Sequence, residues 1–576
     1  MSHMKTSNNH HELIQHRFSK LYIHLQRNQQ KIIYDNYFEL IGYVNFCYFE
    51  HNNDESYLYY IKLLFKMALF VRDYQFGMGE RNIAYVLLCA WYKHNVIYFM
   101  NLYYFYLHTY GCWSDFKYFS QFIHDHQHEF GLSTRDVDFM VQHGISCVLF
   151  QFDKDVYKWN HMLNDYMNVK FNKHKSEHYS VFGLQRPNAR NHISNVAKWI
   201  PREHKKYDWL YEEIVLFYHK IHFPSYFEKS CKYDANKWDK IISKWKMDFR
   251  KLVSSLNHEL QTPQIKQCNE KWQNIDVQNI SLVSLLKQKD GYYNHFSVEH
   301  EVFIQQYTAF DRFGDASRLN TSTKKTNLNL GFYVKEVLKL LKRKYDSKTE
   351  ALLDLMEESW RKNVVDFYLR DRGVSLPYVY VFMDISSDNN ENDKYDIIGN
   401  AIMLCMCSRN NQIFVIENEV HVLDFKSMSF VDIVRYLLIN HYLQSIQSVN
   451  YDGVINFVNS SIGVIDCACN FVFLSNMKTC EMLCVPNLLN HKYIFTILWN
   501  VVTSYDVDHI VKEQTMNSYL CLNGSCGSVF HFLWKHILKS ANSGKNLQLN
   551  TYVYLNEILN LRHFFVQFMD SHQHVK

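Results

Sequence analysis

The chain's 576 residues are too many for one hydrophobic core, and 47% hydrophobic residues are enough to fill two or three. With 62 Lys and Arg against 58 Asp and Glu the net charge is only +4, which excludes a uniformly basic chain, so any nucleic-acid partner must be met by a local patch. Only 6 Pro and 17 Gly beside 42 Tyr and 41 Phe exclude a low-complexity chain; the bias toward Tyr, Phe, Asn and Lys is that of an A+T-rich genome, so aromatic content alone is weak evidence for base stacking.

The opening MSHMKTSNNHHELIQHRF is polar and His-rich, and no secretory leader is expected from it. From about residue 12 to residue 370 apolar side chains recur at helical period, as in Leu64, Met67, Ala68 and Val71, then Val86, Leu87 and Trp91. This half is predicted to be all-α. Breaks are expected at Gly77 and Gly79, at Gly111, in the polar stretch 172–192 and in the aperiodic stretch 311–330. The most apolar run, Asn95 to Tyr110, contains Asn101 and His108 between Lys93 and Asp115, which predicts a buried helix and no membrane partner. Helix pairs joined by short loops suggest a solenoid or ring, although no fixed-period repeat is visible.

After Pro377 the texture changes to short runs of Val, Ile, Phe and Tyr alternating with helical segments, the pattern of a parallel sheet covered on both faces. Strands are predicted at Tyr378–Met383, Gln412–Ile416, Asn470–Leu474, Tyr493–Leu498 and Ser518–Leu522, with helices at 428–445 and 551–570. The expected organisation is therefore an all-α domain over 1–375 and a doubly wound α/β domain over 376–576. The 14 Cys, isolated or in close pairs such as Cys405 with Cys407 and Cys467 with Cys469, suit reduced thiols in the cytoplasm or nucleus.

Several runs carry a family resemblance. Phe70-Val-Arg72-Asp73-Tyr-Gln-Phe-Gly77-Met-Gly79-Glu80-Arg81, Tyr110-Gly111-Cys-Trp113-Ser-Asp115, Ala197-Lys198-Trp199-Ile-Pro201-Arg202-Glu203 and Phe249-Arg250-Lys251-Leu252 resemble landmarks of a family related to the Ro autoantigen, found in plants, fungi and large DNA viruses. In the second half, Asp384-Ile-Ser386, Ser475-Asn476-Met477, Trp499-Asn500 and Asn523-Gly524-Ser525 fall in the order of that family's von Willebrand A-like domain. The resemblance implies a HEAT-like helical repeat ring followed by a Rossmann-like von Willebrand A-like domain, RNA as partner, and a cytoplasmic, nuclear or virion-associated protein. The glycine motif itself reads as structural: Gly77 and Gly79 permit a tight turn, and Arg72 with Asp73 or Glu80 bridges helix ends.

The resemblance also implies a metal site of Asp-x-Ser-x-Ser, a Thr and a further Asp, hard oxygen donors suited to magnesium. Here Asp384 and Ser386 remain, Asp388 stands for the second Ser, Asn450-Tyr451-Asp452 lacks the Thr, and Asn476 stands for the Asp. Two lost oxygen ligands and a lost charge predict a degenerate site without magnesium or any other cofactor, unless Asp388 substitutes.

The strongest functional signal is electrostatic. Lys170, Lys173, Lys175, Arg186, Arg190, Lys198, Arg202, Lys205 and Lys206 stand against Glu177 and Glu203 alone, interleaved with His174, His178, His192, His204, Tyr179 and Trp199. Cations among rings are what the backbone and unpaired bases of RNA require, although a solvated loop accounts for the same composition. In Lys237 to Lys251, Trp238 and Trp245 read as core and Lys240, Lys244, Lys246 and Arg250 as the wet face. Neither His124-Asp-His126-Gln-His128 nor the set Cys467, Cys469, Cys480 and Cys484 is read as a zinc site: the first lacks a matching cluster and the second surrounds a core strand. No phosphate-binding loop, dinucleotide fingerprint or nucleophile elbow appears, so no enzymatic activity is expected. Three readings follow: an RNA-binding protein, a scaffold that binds protein partners or itself, and a metal-dependent ligand-binding protein.

Overall fold

The computed structural model describes residues 2–23, 25, 29–51, 53–73, 77–175, 193–270, 272, 275, 288, 291, 330–343, 346–365, 376, 379–385, 391–417, 419–442, 451–461, 469–475, 494–500, 519–523, 532–537 and 551–560; some side chains within these ranges, 163–175 among them, are outside the description. The chain is mostly helical with one mixed sheet. It divides into two compact units, Met1–Val96 with Ser297–Lys576, and Ile97–Phe296. The change of texture near residue 375 lies inside the first unit. Among the described residues no helix is long and apolar enough to cross a membrane.

The first unit opens with α1 (Ser2–Ile23), α2 (Gln30–Glu50), α3 (Glu55–Arg72) and α4 (Arg81–His94). The Asp54 carboxylate accepts the Ser56 N–H at 2.9 Å and starts α3. Buried Tyr37 joins three helices, its hydroxyl donating to the Leu64 carbonyl at 2.7 Å and accepting from the Trp91 indole at 2.8 Å. The turn after α3 folds back on the helix: Met78 N–H donates to Phe70 O, Gly79 N–H to Asp73 O and Glu80 N–H to Val71 O, at 2.9–3.0 Å. Gly79 has φ +68°, and a Cβ at Gly77 would collide with the Phe70 carbonyl and lie 2.9 Å from Asp73 Cβ. The glycine motif is a turn, as expected, with Arg72 and Asp73 buried at it.

The second unit holds α5 (Val96–Phe105), which runs into a π-helical turn at Tyr106–Tyr110, then α6 (Asp115–His126), α7 (Thr134–Lys175), α8 (Val196–Trp199), α9 (Asp208–His222), α10 (Pro224–Ser230), α11 (Ala235–Glu259) and α12 (Pro263–Cys268). The apolar run 95–110 is a helix with Phe99, Leu102, Tyr103 and Tyr106 buried. The 42 residues of α7 span about 60 Å at 1.5 Å per residue. It passes α5 and α6 closely at Gly144, where a Cβ would lie 2.8 Å from the Tyr103 hydroxyl and 2.9 Å from Phe116. In α11 Trp245 is buried and Lys240, Lys244 and Arg250 exposed, as its periodicity predicts, whereas Trp238 is only half-buried and Lys246 is half-buried against Glu212 at 2.6 Å.

The first unit resumes with α13 (Leu330–Leu341) and α14 (Ser347–Trp360), followed by β1 (Val379–Met383), α15 (Glu391–Cys407), β2 (Gln412–Ile416), β3 (Val420–Asp424), α16 (Phe430–Ile439), α17 (Tyr451–Ser461), β4 (Cys469–Ser475), β5 (Ile494–Asn500), β6 (Tyr519–Asn523) and α18 (Thr551–Leu559). Sheet order is β3-β2-β1-β4-β5-β6, all parallel except β3. The five predicted strands are present within a few residues. The sixth, β3, corrects the expectation of a purely parallel sheet; its VHVLD lies at a sheet edge with only Leu423 buried and lacks the apolar run of β2. Central β1 and β4 are buried almost throughout. Phe382 on β1 lies directly opposite Phe414 on β2 and Phe473 on β4, with ring centroids 5.0 and 4.7 Å away, so an aromatic ladder fixes the register of three strands.

Helix α18 packs against α1, α3 and β6. Tyr22 and Tyr554 hydroxyls meet at 3.4 Å, Tyr59 donates to Asn556, and Lys66 Nζ donates to Asn560 at 2.9 Å. Helices α13 and α15 cross at two glycines: a Cβ at Gly331 would collide with the Asp396 carboxylate and lie 2.7 Å from its backbone N, and one at Gly399 would lie 2.7 Å from the Leu330 carbonyl carbon. Gly331→Ala and Gly399→Ala are each expected to cost about 1–3 kcal/mol by overpacking a crossing with backbone on both sides, read as lowered denaturant midpoints; parent-like midpoints would show that the crossing is not tight.

Candidate functional site

The basic residues of the second unit are organised by one buried anchor. The carboxylate of Asp155 on α7, 1% exposed, accepts hydrogen bonds from Gln151 Nε2 at 2.9 Å, from Ser194 N at 3.1 Å and from Ser194 Oγ at 2.6 Å. These fix the segment that leads into α8. From the other side Asn257 Nδ2 on α11 donates to Ala197 O at 3.0 Å, and Val196, Ala197, Ile200 and Pro201 are buried beneath. The connector 202–207 then runs over the surface to α9, turning at His204 with φ +59°. Its single acid, Glu203, is turned to α11, where Arg250 Nη1 lies 3.3 Å away. Arg202, Lys205 and Lys206 are exposed.

This arrangement places cations around rings. The Lys117 ammonium on α6 lies 5.0 Å from the Trp199 ring centroid, 5.6 Å from Tyr207 and 5.3 Å from Tyr118. Lys198 lies 5.4 Å from Trp199, and Lys206 5.5 Å from Tyr207. Tyr118 and Tyr207 meet edge to face at 6.0 Å, and His124 meets Trp209 likewise at 4.8 Å. Three ammonium groups thus share two aromatic side chains that keep part of their surface in water, a composition that offers charge to phosphates and ring faces to unpaired bases.

Of the basic residues singled out from the sequence, the structure brings Lys198 and Lys206 into this cluster and leaves Arg202 and Lys205 exposed on the same connector. The side chains of Lys170, Lys173 and Lys175, and Arg186 and Arg190 entirely, lie outside the described residues. Sequence reasoning missed Lys117, Tyr118, Tyr207 and Trp209. The available signal was Lys117-Tyr118 on an amphipathic helix, some eighty residues before its partners. Arg250 is on the wet face of α11 as read, and from there meets Glu203.

In the first unit the strand order reverses between β1 and β4, the position where open α/β sheets form a crevice at their carboxyl ends. Asp384 follows β1 and Ser475 ends β4; both are buried, Ser475 Oγ donates to Asp384 Oδ2 at 2.8 Å, and Asp384 N–H donates to Leu474 O at 3.0 Å. By register Ser475 pairs with Asn500 and Asn500 with Asn523, so Asp384, Ser475, Asn500 and Asn523 fall in one row along this sheet edge. Ser386, Asp388, Asn450 and Asn476 lie outside the described residues, and among those described no three His, Cys, Asp or Glu side chains converge to hold a metal.

One Cys–His contact has the outline of a nucleophile and its base: Cys147 Sγ lies 3.6 Å from His143 Nε2. Burial pushes the thiol up to about 12. It also lowers His143 from its ordinary value, against a backbone hydrogen bond to Met100. Both groups are therefore neutral at pH 7, and the pair is packing, not an activated thiol. His126 is likewise engaged, its Nδ1 2.7 Å from Glu129.

Compared with family models, curated proteins and solved structures, the chain matches none. Asp155→Ala is expected to leave Ser194 without its buried acceptor and to cost about 1–3 kcal/mol. The measurement is denaturant unfolding together with limited proteolysis in 194–207; a parent-like midpoint and cleavage pattern would refute the anchor.

Proposed function

We propose that the protein is a non-enzymatic RNA-binding protein of Ro-like type, with the connector 198–207 and the outer face of α6 as its RNA surface. The observation that carries this reading is the convergence of Lys117, Lys198 and Lys206 on Trp199 and Tyr207 within 5.0–5.6 Å. Ammonium groups contact phosphates without regard to sequence, and partly exposed rings take the faces of unstacked bases. Single-stranded or looped RNA fits that pairing better than a duplex, whose bases are already stacked.

Under the same proposal the helices form the HEAT-like part of the architecture and the sheet its von Willebrand A-like part. What supports the second assignment is the doubly wound order 3-2-1-4-5-6 with landmark residues Asp384, Ser475, Asn500 and Asn523 along its carboxyl edge. We propose no metal-dependent role for that edge. Asp384 already accepts the Ser475 hydroxyl, and the chain carries Tyr451 and Asn476 where the family's Thr and Asp would complete an oxygen shell.

Filter binding of an unstructured RNA over about 50 to 200 mM salt tests the reading. Lys198→Glu with Arg202→Glu is expected to weaken binding about tenfold or more and to lower the log–log salt slope by about 2. Trp199→Ala with Tyr207→Ala is expected to remove about 1–3 kcal/mol per lost stacked base without changing that slope. Absence of RNA affinity, or affinity indifferent to both pairs, would reject it.

A further inference from the structure

Away from the connector, the second unit exposes a corner where α9 passes into α10. Residues 220–226 are all exposed, seven in succession. Ile221 and Phe223 are each 51% exposed and Tyr226 47%. An apolar corner of this kind would fold inward if it had room, but the space beneath is filled. His219 stacks on Trp245 at 4.5 Å and 15°, Phe227 stacks on the same indole at 5.8 Å and 13°, and Tyr226 meets its edge at 5.9 Å. The aromatic bed holds Ile221 and Phe223 outward on a rigid base.

Cations surround the corner. Lys220 precedes Ile221, and Lys229 is three residues after Tyr226 on α10 and so on the same side of that helix. Beyond α10, Lys232, Lys237 and Lys240 are exposed, with Lys237 Nζ 3.9 Å from the ring centroid of Tyr233, itself 41% exposed. Of the three acids in 220–240, Asp234 is occupied as the cap of α11, accepting the Lys237 N–H at 2.9 Å, while Glu228 and Asp239 are exposed, so five lysines outweigh them; Asp153 on α7 is taken up by His222 at 3.0 Å.

We propose that this corner docks the protein on an anionic lipid bilayer, with Ile221, Phe223 and Tyr226 entering the headgroup layer and Lys220 and Lys229 on lipid phosphates. The chemistry selects this partner over RNA. Ile221 and Phe223 have no group that reads a base or a phosphate, and an exposed apolar tip flanked in the chain by more lysines than acids matches an interface that is apolar below and anionic above. The contact is interfacial and requires no spanning helix. It shares no residue with the proposed RNA surface, so either can fail alone.

Flotation of the full chain with vesicles of phosphatidylcholine, with or without phosphatidylserine, tests the proposal. The chain is expected to float with the phosphatidylserine vesicles and to stay behind with phosphatidylcholine alone. Ile221→Ser with Phe223→Ser and Tyr226→Ser is expected to lower the bound fraction about tenfold or more, and Lys220→Glu with Lys229→Glu to do the same. Lys198→Glu with Arg202→Glu is expected to leave flotation unchanged. Failure of the parent to float with the anionic vesicles overturns the proposal, as does parent-like flotation of the serine variant. Should the serine variant lose its helical circular dichroism, the exposed lysine pair decides: parent-like flotation of that variant overturns the proposal equally.

Discussion

The candidate RNA surface depends on burying one carboxylate. Asp155 sits in the middle of a long helix, 1% exposed, and a charge in that position is tolerable only because three hydrogen-bond donors converge on it. Two of the three come from Ser194, so satisfying the carboxylate and positioning the segment that enters α8 are the same event. Everything downstream follows from that placement. The backbone of 196–201 is held between α7 and α11, the connector emerges at a fixed point on the surface, and Lys198, Trp199, Lys206 and Tyr207 arrive beside Lys117 and Tyr118 of α6. The energetic asymmetry is large, because an ionised group stripped of buried donors costs far more than a surface ion pair returns.

The first unit is governed by a different constraint, the covering of a sheet whose central strands are apolar on both faces. Strands β1 and β4 leave almost no side chain in water, so helices must pack over them. Helix α15 packs against β1, β2 and β4, while at the other end of the sheet β6 meets α1 and α18. Helices α1 and α18 are therefore part of the same packing problem. The tight crossing of α13 and α15 at Gly331 and Gly399 brings the residues before the sheet onto its cover as well. A linear reading that counts helices on one side of residue 375 and strands on the other misses this, since burial is satisfied by whichever element reaches the strand, however distant in sequence.

Much of the secondary structure was legible. The strands that are buried on both faces announce themselves as runs such as Gln412–Ile416, and the break after α3 follows from the positive φ of Gly79 and the close approach of Gly77 to the Phe70 carbonyl. Strand β3 was not legible because an edge strand needs only one inward face, and VHVLD supplies only a short alternation with polar residues in it. The expected helix over 428–445 is shorter, Phe430–Ile439, because Asn440 and His441, the latter at φ +63°, turn the chain out of it. In the candidate site, the local density of Lys and Arg marked the connector, but nothing local marked Lys117, Tyr118 or Asp155, whose parts depend on neighbours tens of residues away.

The amino-acid sequence by itself determined where charge gathers and which segments alternate as helix or strand, because each of these is a property of residues adjacent in the chain. The tertiary structure alone decided which helices share a core with the sheet, which cations face which rings, and which apolar residues are left in water at the α9–α10 corner. Those outcomes are set by close packing and by the need to satisfy buried polar groups, and both act between residues that are near in space without being near in sequence.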